Sequence, residues 1–385
     1  MPLHSEVTWK NRLALRSLKF VARILVGKSR RGLPTDIKSV RSIAVIEPWN
    51  IGDIVLSIPF LRTLRRNWPT AKIILVARPI AAEVLAGTGL VDELVAVNLD
   101  WTGSASSVLA AFTRLRKTIE ASRKLRHQHI DLAFANRHHL REYALLLFSG
   151  AHRTVGYRVA ELEPPLTDPI VVADPNRSKT DDWLGLLEGL GVAHDDEPSR
   201  LIVSESERAE AERFLTSLGV RSDERLVGLH PGASLPEKRW PISAFARVIE
   251  AIATEAAVKP LVFIDPDGYG EELANIPGTI SAKVGLRQLI ALLAKCDLLV
   301  CNDSGPMHLA AAVGTPTVAL FGAGIDRWYA PSGTGHVILS PEGSGSASGA
   351  TATAGQTIRS PAGIPVERVI EAVQTLLAPN TGPVR

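Results

Sequence analysis

Three short stretches of the chain combine side chains that could act on a reactive ligand. The first, residues 47–53, follows an apolar run and places Gly52 and Asp53 at the start of a helical pattern. An Asp in that position either caps the helix, by accepting hydrogen bonds from backbone N–H groups, or faces a cleft as a general base. The spacing alone favours the cap, and one carboxylate can serve both purposes.

The second stretch, residues 230–241, contains Gly232 and Ser234, followed by Lys238 and Arg239, ahead of another helical pattern. A loop of this kind can hold a phosphate through backbone N–H groups and positive side chains. It can equally be a turn whose Lys and Arg are solvated. It matches neither the P-loop pattern nor the glycine pattern of dinucleotide-binding folds, so both of those fingerprints are excluded here.

The third stretch, residues 302–308, follows a short apolar run and precedes a helix of small residues. Asp303 or Ser304 is predicted to cap this helix, and Gly305 leaves room for a ligand at its positive end. Such a helix end suits a diphosphate. His308 by itself is typical of a buried structural histidine, because no second metal ligand stands at a suitable spacing. We therefore predict no metal site.

Alternating strand and helix patterns must position these stretches. β-Branched runs predict strands that alternate with helices, which indicates parallel sheets built from βαβ units. The first series comprises strand 43–46, helix 54–66 and strands 73–76, 94–97 and 132–135. The second comprises strands 226–229, 261–264, 298–301 and 317–321 with helices 242–254 and 286–295. We predict two doubly wound halves that meet within residues 195–222.

Length and composition agree with two soluble α/β domains. The chain has 385 residues, of which 45% are apolar and 22% charged, and it lacks an apolar run long enough to span a bilayer. Its two cysteines, Cys296 and Cys301, are too few for a disulfide framework, which favours a reducing, cytosolic setting. A Gly/Ser/Ala-rich segment, residues 341–363, is predicted to be a loop or a partly disordered connector. A closing helix is predicted over residues 366–377.

The N-terminal 41 residues are distinctly basic. They carry ten Lys or Arg against two acidic residues, whereas the whole chain has a net charge of only +3. Apolar and basic side chains alternate at helical spacing over residues 9–31, which predicts an amphipathic helix without a secretory signal. This helix either packs on the protein body or docks on an anionic membrane surface. The net negative remainder argues against a nucleic-acid partner.

In their order along the chain, the three stretches make the protein resemble family 9 of the glycosyltransferases, the lipopolysaccharide heptosyltransferases and their relatives. The resemblance covers roughly residues 42–378. It is carried by residues 50–66, by residues 230–234 with 238–241, and by residues 302–312 with 319–322.

The resemblance implies a GT-B fold, in which two Rossmann-like doubly wound domains face each other across a cleft. Residues 1–41 would then be a basic N-terminal extension, residues 42–200 the acceptor domain and residues 201–365 the nucleotide-sugar domain. Residues 366–385 would form a closing helix that returns to the first domain, and a tail.

The resemblance also implies residue roles. Asp53 would be the catalytic base, within an acceptor loop that includes Asn50 and Gly52. The groups expected at the donor diphosphate are Ser234, Lys238, Ser304 and Gly305. The groups expected at the donor sugar and nucleotide are Asp303 and His308, with Glu271 or Glu272 as weaker candidates for the ribose. Without a metal, the charge that grows on a departing diphosphate must be met by cations and oriented N–H groups, and Lys238 with the helix near Ser304 could supply them.

The implied activity is inverting, metal-independent and cofactor-free transfer of a sugar, such as heptose from an ADP-heptose donor. The acceptor would be lipopolysaccharide or another lipid-linked or polysaccharide glycan of the cell envelope. We expect a cytoplasmic protein, either free or peripheral on the inner face of the cytoplasmic membrane. Two alternatives stay open: a nucleotide-sugar epimerase of similar fold, and a non-catalytic nucleotide-sugar-binding protein at the membrane. Residues 341–363 lack the cysteine-bearing segment common in this family, so the role of that segment cannot be carried over.

Overall fold

The structure is a computed structural model that describes residues 39–98, 108–137, 140–158, 166–171, 174, 177–255, 257–322, 326–341 and 360–378. The predicted amphipathic helix and most of the predicted 341–363 connector lie outside these residues. The chain divides into two compact units, and the boundary falls between Glu197 and Pro198. No helix within the described ranges is long and apolar enough to cross a membrane.

The N-terminal unit is built on six strands and six helices that the structure describes. The strands are β1 (Ser42–Glu47), β2 (Lys72–Ala77), β3 (Glu93–Ala96), β4 (Leu132–Ala135), β5 (Arg153–Tyr157) and β6 (Asp168–Ile170). The helices are α1 (Ile51–Leu56), α2 (Ile58–Asn67), α3 (Ala81–Val84), α4 (Val108–Arg126), α5 (Leu140–Phe148) and α6 (Lys179–Glu188). Strands β5 and β6 were not predicted from the sequence.

The C-terminal unit repeats this design. Its strands are β7 (Arg225–His230), β8 (Val258–Phe263), β9 (Ile280–Ala282), β10 (Leu298–Asn302), β11 (Thr317–Leu320) and β12 (His336–Leu339). Its helices are α7 (Glu205–Ser217), α8 (Ile242–Ala253), α9 (Leu286–Leu293), α10 (Gly305–Ala312), α11 (Asp326–Tyr329) and α12 (Val366–Leu377). Short 3-10 turns cover Pro236–Lys238, Glu271–Asn275 and Pro361–Gly363. Strands β9 and β12 were not predicted.

Both sheets are parallel and have the same strand order. The first runs β3-β2-β1-β4-β5-β6, and the second, read from its β9 edge, runs β9-β8-β7-β10-β11-β12. Every described strand pair is parallel, for example β1 with β2 and with β4. This order is that of a Rossmann-like doubly wound fold. The prediction of two doubly wound halves is confirmed.

The predicted helix over residues 54–66 is wrong in one respect, because the structure has two helices there. Helix α1 ends at Leu56, and α2 begins at Ile58 with Pro59 in its first turn. A proline has no N–H to donate to the carbonyl four residues earlier, and its ring clashes with that carbonyl. The Ser57 hydroxyl bonds the Ile54 carbonyl at 2.8 Å and thereby satisfies one of the acceptors at the break.

Apolar layers cover both faces of each sheet. All six residues of β1 are buried, as expected for a central strand of a parallel sheet. On one face of the N-terminal sheet, the Phe60 ring lies 5.1 Å from Phe134 and 4.7 Å from Trp183. These contacts pack α2 and α6 against β4. They therefore help to position the loops that follow β1 and β4.

The closing helix α12 packs on the C-terminal sheet. Val369 and Val373 are fully buried in one cluster with Ile249 of α8 and Val300 of β10. Just before the helix, the Ile364 carbonyl accepts a hydrogen bond from the indole of Trp240 at 3.1 Å. Helix α12 therefore packs within the C-terminal unit, and its return to the first domain stays a prediction. The apolar stripe of α12 packs against the C-terminal sheet.

Candidate active site

The strand order defines one special place in each sheet. Strand β1 lies between β2 and β4, and the strand order runs in opposite directions on its two sides. Strand β7 lies between β8 and β10 in the same way. In open α/β sheets, ligands bind beyond the carboxyl ends of the strands at such a switch point. The predicted stretches 47–53, 230–241 and 302–308 follow β1, β7 and β10, so all three lie at switch points.

Asp53 is the third residue of α1, and Asn50 is the N-cap of that helix. The Asn50 N–H donates to Asp53 Oδ2 at 3.1 Å, so the carboxylate supports the helix start as half of a capping box. The other oxygen, Oδ1, forms an ion pair with the Arg137 guanidinium. Asp53 thus contributes to capping without being the N-cap, and it retains lone pairs for a further partner.

Arg137 is a site residue that the sequence analysis missed. It lies in the loop after β4, and the pairing of β4 with β1 brings it next to the loop that carries Asp53. Its guanidinium also lies over the Trp49 ring, 4.5 Å from the ring centroid. A guanidinium that contacts both a carboxylate and an aromatic face is restricted in its position and in its orientation. Its signal in the sequence was a charged residue directly after a buried strand.

Two further carboxyl groups lie beneath this pair, and both are buried. Glu142 Oε1 accepts a hydrogen bond from the Trp49 indole, and Glu142 Oε2 accepts one from the Arg137 backbone N–H at 3.2 Å. Burial raises the pKa of Glu142 to about 8. Glu47, the last residue of β1, accepts from the Trp183 indole at 3.1 Å. Burial, followed by the charge of Asp53, raises the pKa of Glu47 well above its usual range.

Of the other predicted acceptor-loop residues, Asn50 is exposed and Gly52 is partly buried in the first turn of α1. The side-chain oxygen of Asn50 accepts a hydrogen bond from Arg78 at 2.9 Å, from the loop after β2. The loops after β1, β2 and β4 are thereby joined at one edge of the sheet.

In the C-terminal unit, Lys238 is the last residue of the short turn Pro236–Lys238. Its Nζ lies 2.6 Å from Asp303 Oδ2, and both side chains are largely buried. The structure therefore joins two residues that were predicted separately, one from the loop after β7 and one from the loop after β10. Ser234 belongs to the same loop as Lys238 and is exposed.

Helix α10 begins beside this pair. Ser304 is its N-cap, and Gly305 and Pro306 form its first turn. The Ser304 hydroxyl is buried and has no hydrogen-bond partner among the described residues, so it does not cap the helix through its side chain. The predicted cap is therefore Ser304 rather than Asp303, and it acts through its backbone conformation. His308 is buried within α10, as its structural interpretation predicts.

A network of hydrogen bonds holds the two C-terminal loops together. The fully buried Asn302 accepts a hydrogen bond from the Trp240 backbone at 3.0 Å and donates one to the Pro231 carbonyl at 2.6 Å. Arg239 donates to the Ala233 carbonyl, and its guanidinium stacks 4.0 Å from the Tyr269 ring centroid. Neither Asn302 nor Tyr269 was among the predicted site residues.

Glu271 and Glu272 open the turn Glu271–Asn275, and both are exposed. The acidic group after β8 that contacts the end of β7 is instead Asp265, which pairs with His230 Nε2 at 3.0 Å. Burial alone would raise the pKa of Asp265, but the hydrogen bond and charge of His230 hold it below its usual range. Gly232 packs so closely here that a Cβ on it would lie 1.8 Å from Asp265 Oδ2.

The C-terminal unit also contains a cavity of about 380 Å³ at the end of its sheet opposite to the switch point. Its lining includes Arg200, Arg208, Gly314 and His336. Gly314 precedes β11 and His336 begins β12, so the cavity lies at the amino ends of the strands. It is separate from the Lys238–Asp303 pair.

Comparison with known proteins agrees with this architecture. The family model described as glycosyltransferase family 9 (heptosyltransferase) matches residues 119–347, more than half of the chain. The chain is 27% identical over 296 residues to lipopolysaccharide heptosyltransferase 2 of Salmonella typhimurium, covering 73% of this chain and 82% of that protein. It is 26% identical over 296 residues to the Escherichia coli protein of the same name, with the same coverage.

Solved structures show the same fold. The family 9 glycosyl transferase from Veillonella parvula superposes with a TM-score of 0.72 at 26% identity, covering 88% of this chain and 97% of that one. The E. coli ADP-heptose lipopolysaccharide heptosyltransferase II superposes with a TM-score of 0.67 at 22% identity, covering 88% and 98%. With its two Rossmann-like units, its motifs at the switch points and this family match, the chain belongs to glycosyltransferase family 9 and is a glycosyltransferase.

Proposed function

We propose that this enzyme transfers a heptose from an ADP-heptose donor to lipopolysaccharide or another glycan of the cell envelope, with inversion at the anomeric carbon and without a metal ion. The observation that carries the proposal is the pairing of charged residues at each switch point: the predicted Asp53 with Arg137, and the predicted Lys238 and Asp303 with each other beside the start of α10. The heptose and the lipopolysaccharide acceptor are inferred from the relatives, which are named lipopolysaccharide heptosyltransferases.

Asp53 is proposed as the general base. In an inverting displacement, the acceptor oxygen forms a bond to the anomeric carbon while the bond from that carbon to the diphosphate oxygen breaks. The acceptor hydroxyl proton passes to the Asp53 carboxylate. Arg137 keeps the Asp53 carboxylate in a fixed orientation. The carboxylate has further lone pairs besides those that contact Arg137 and the Asn50 N–H, and one of these can accept the proton.

Lys238 and the start of α10 are proposed to receive the diphosphate. As the bond to the sugar breaks, negative charge grows on the departing diphosphate, and it needs donors that are already oriented. Lys238 is held by Asp303, and the first N–H groups of α10 lie beside that pair, as does the Ser304 hydroxyl, which has no partner in the part of the chain that the structure describes. Ser234, Gly305 and His308 are proposed to line the same donor site.

The nucleotide is proposed to lie along the loop after β8. Glu271 and Glu272 are exposed there, and Tyr269 carries the Arg239 guanidinium on its ring. A ribose hydroxyl could bond either carboxylate. The adenine identity rests on the E. coli heptosyltransferase whose name includes ADP-heptose, with which this chain shares the fold.

The enzyme is proposed to work at the cytoplasmic face of the inner membrane, with residues 9–31 as a basic, amphipathic contact to anionic lipid. Eight Lys or Arg in that segment would provide an electrostatic attraction that salt weakens.

The test is a transfer assay with the full chain. Purified protein is incubated with ADP-heptose and lipopolysaccharide that lacks core heptose, and ADP release and the mass gain of the acceptor are followed together. We expect both, unchanged in excess EDTA, and an inverted anomeric linkage by NMR. Isomerisation of the donor without acceptor would instead indicate an epimerase, and binding without turnover a non-catalytic protein. Loss of transfer in EDTA would contradict the metal-independent mechanism.

A further inference from the structure

We propose that Glu142 is a positioning residue for the Asp53 carboxylate and that it acts through Trp49 and Arg137. This inference rests on the proposed function, because Asp53 matters only if it removes the acceptor proton. It concerns a residue that lies outside the three recognised stretches.

The contacts form a continuous chain. The Glu142 carboxyl accepts the Trp49 indole N–H with one oxygen and the Arg137 backbone N–H with the other. The Arg137 guanidinium carbon lies over the Trp49 ring, 4.5 Å from the ring centroid, and the guanidinium pairs with Asp53. Glu142 therefore fixes both the ring that supports the guanidinium and the backbone from which its side chain extends.

The chemistry of Glu142 is unusual for a residue with a packing role. It is fully buried, where an apolar side chain of similar size would cost no desolvation. Its charged and titratable neighbours are Arg137, Asp53 and Glu47 from other elements and Tyr143 from its own helix. Burial raises the pKa of the Glu142 carboxyl to about 8, so near neutral pH this group competes little with Asp53 for the positive charge of Arg137.

A base must be held in a narrow geometry to be effective. Displacement of a catalytic group by about 1 Å can cost roughly 10²-fold in rate. Because Arg137 has its own rotatable side chain, the ion pair alone would leave Asp53 free to shift with it. The buried Glu142 removes that freedom through two hydrogen bonds.

The experiment compares three variants in the transfer assay. Glu142→Leu fills the volume but accepts no hydrogen bond, Glu142→Gln keeps one acceptor, and Trp49→Phe keeps the ring but removes the N–H. We expect kcat to fall by about 10²-fold in Glu142→Leu, by less in Glu142→Gln and by several-fold in Trp49→Phe, with the KM for ADP-heptose unchanged in all three. Trp68→Phe is the matched control. It changes a buried tryptophan that lies between α2 and β2 in the same unit, and it should retain kcat.

A purely structural role predicts a different result. In that case, a Glu142→Leu protein with unchanged or raised Tm would retain wild-type kcat, and that outcome would overturn the inference while leaving the proposed function intact. If Glu142→Leu does not fold, Trp49→Phe decides the question, since wild-type kcat in that variant overturns the inference as well.

If the wild-type protein transfers no heptose, the proposed function fails, and positioning is judged from geometry alone. A crystal structure of Glu142→Leu or Trp49→Phe should then show the Trp49 ring or the Arg137 guanidinium displaced from Asp53. An undisturbed Asp53–Arg137 pair would overturn the inference.

Discussion

The two switch points have the same strand order and opposite chemistry. At the ends of β1 and β4, three carboxyl groups surround the guanidinium of Arg137, and two of them are completely buried. At the ends of β7 and β10, Lys238 pairs with Asp303 beside the start of α10, whose first backbone N–H groups have no acceptor within the helix. The fold determines where a ligand can bind, whereas the loop residues determine whether the place suits a proton donor or an anion.

The difference also appears in how each place is held. The N-terminal site is tied by side chains, with two indoles bonded to two buried acids. The C-terminal site is tied largely through backbone groups, with Asn302 and Arg239 bonding carbonyls and one backbone N–H. We therefore expect the first site to be sensitive to charge and the second to shape.

The largest effect should come from Asp53→Asn. The amide keeps the size of the side chain but cannot take the acceptor proton, so kcat should fall by about 10³-fold while the KM for the donor stays within a few-fold. Asp196→Asn, at a carboxylate that is 96% exposed in the same unit, is the control. Steady-state kinetics measure both variants, and near wild-type kcat in Asp53→Asn would remove this residue from the mechanism.

The next largest effect is expected for Lys238→Ala on the anion side. It removes the cation assigned to the diphosphate and leaves Asp303 unpaired, so kcat/KM should fall by about 10²-fold. ADP affinity, measured by calorimetry, should fall with it. Lys283→Ala, at an exposed lysine in the same unit, should change neither quantity. Equal ADP affinity in both variants would contradict the assigned role.

The contribution of the buried Glu142 carboxyl can be measured through the pH dependence of the free energy of unfolding. The folded protein keeps the proton of Glu142 up to a pKa of about 8, whereas the unfolded chain loses it near the ordinary pKa of 4.5. Between these values the unfolded state binds fewer protons, so the free energy of unfolding falls as pH rises, by up to about 1.4 kcal/mol per pH unit.

Glu142→Gln should abolish this part of the decline. Urea unfolding from pH 5 to pH 8 should give a shallower loss of stability than in wild type, while Glu47 remains in both proteins. Glu120→Gln, at an exposed carboxylate, should follow the wild-type curve. Identical curves for Glu142→Gln and wild type would show that Glu142 does not titrate in this range.

The shape requirement of the C-terminal site is tested by Gly232→Ala. The added methyl would overlap Asp265 Oδ2 and push it from His230, which should lower the free energy of unfolding by about 2 kcal/mol and weaken ADP binding. Gly285→Ala, where the methyl would enter open space, is the control. Denaturant midpoints at constant slope provide the measurement, and equal midpoints for the two variants would refute the packing argument.

The smallest effect on chemistry is expected from the N-terminal extension. Deletion of residues 1–38 should weaken sedimentation with anionic liposomes, and added salt should weaken sedimentation of the full chain. Because both switch points lie elsewhere in the chain, kcat with a soluble acceptor should stay within about two-fold. Unchanged sedimentation after the deletion would favour a helix packed on the protein body.

Much of the fold could be predicted from local patterns. Continuous β-branched runs revealed the central strands, and the motif after each of β1, β7 and β10 was assigned to the correct edge of its sheet. Strands β5, β6, β9 and β12 lie at or near the sheet edges, and they were missed because they are short and only partly apolar, for example Asp168–Ile170. The break at Ser57 could have been predicted from Pro59, since a proline interrupts a helix whatever surrounds it.

The sequence by itself determined the two βα series, the family and the positions of Asp53, Lys238 and Asp303 at strand ends, since periodicity and motifs are properties of neighbouring residues. Only the tertiary structure decided which groups meet. Asp53 and Arg137 are 84 positions apart and come together because β4 pairs with β1. Glu142 became a buried acid only once the sheet and its helices closed around it, because desolvation depends on the whole surroundings of a group and not on its neighbours in the chain.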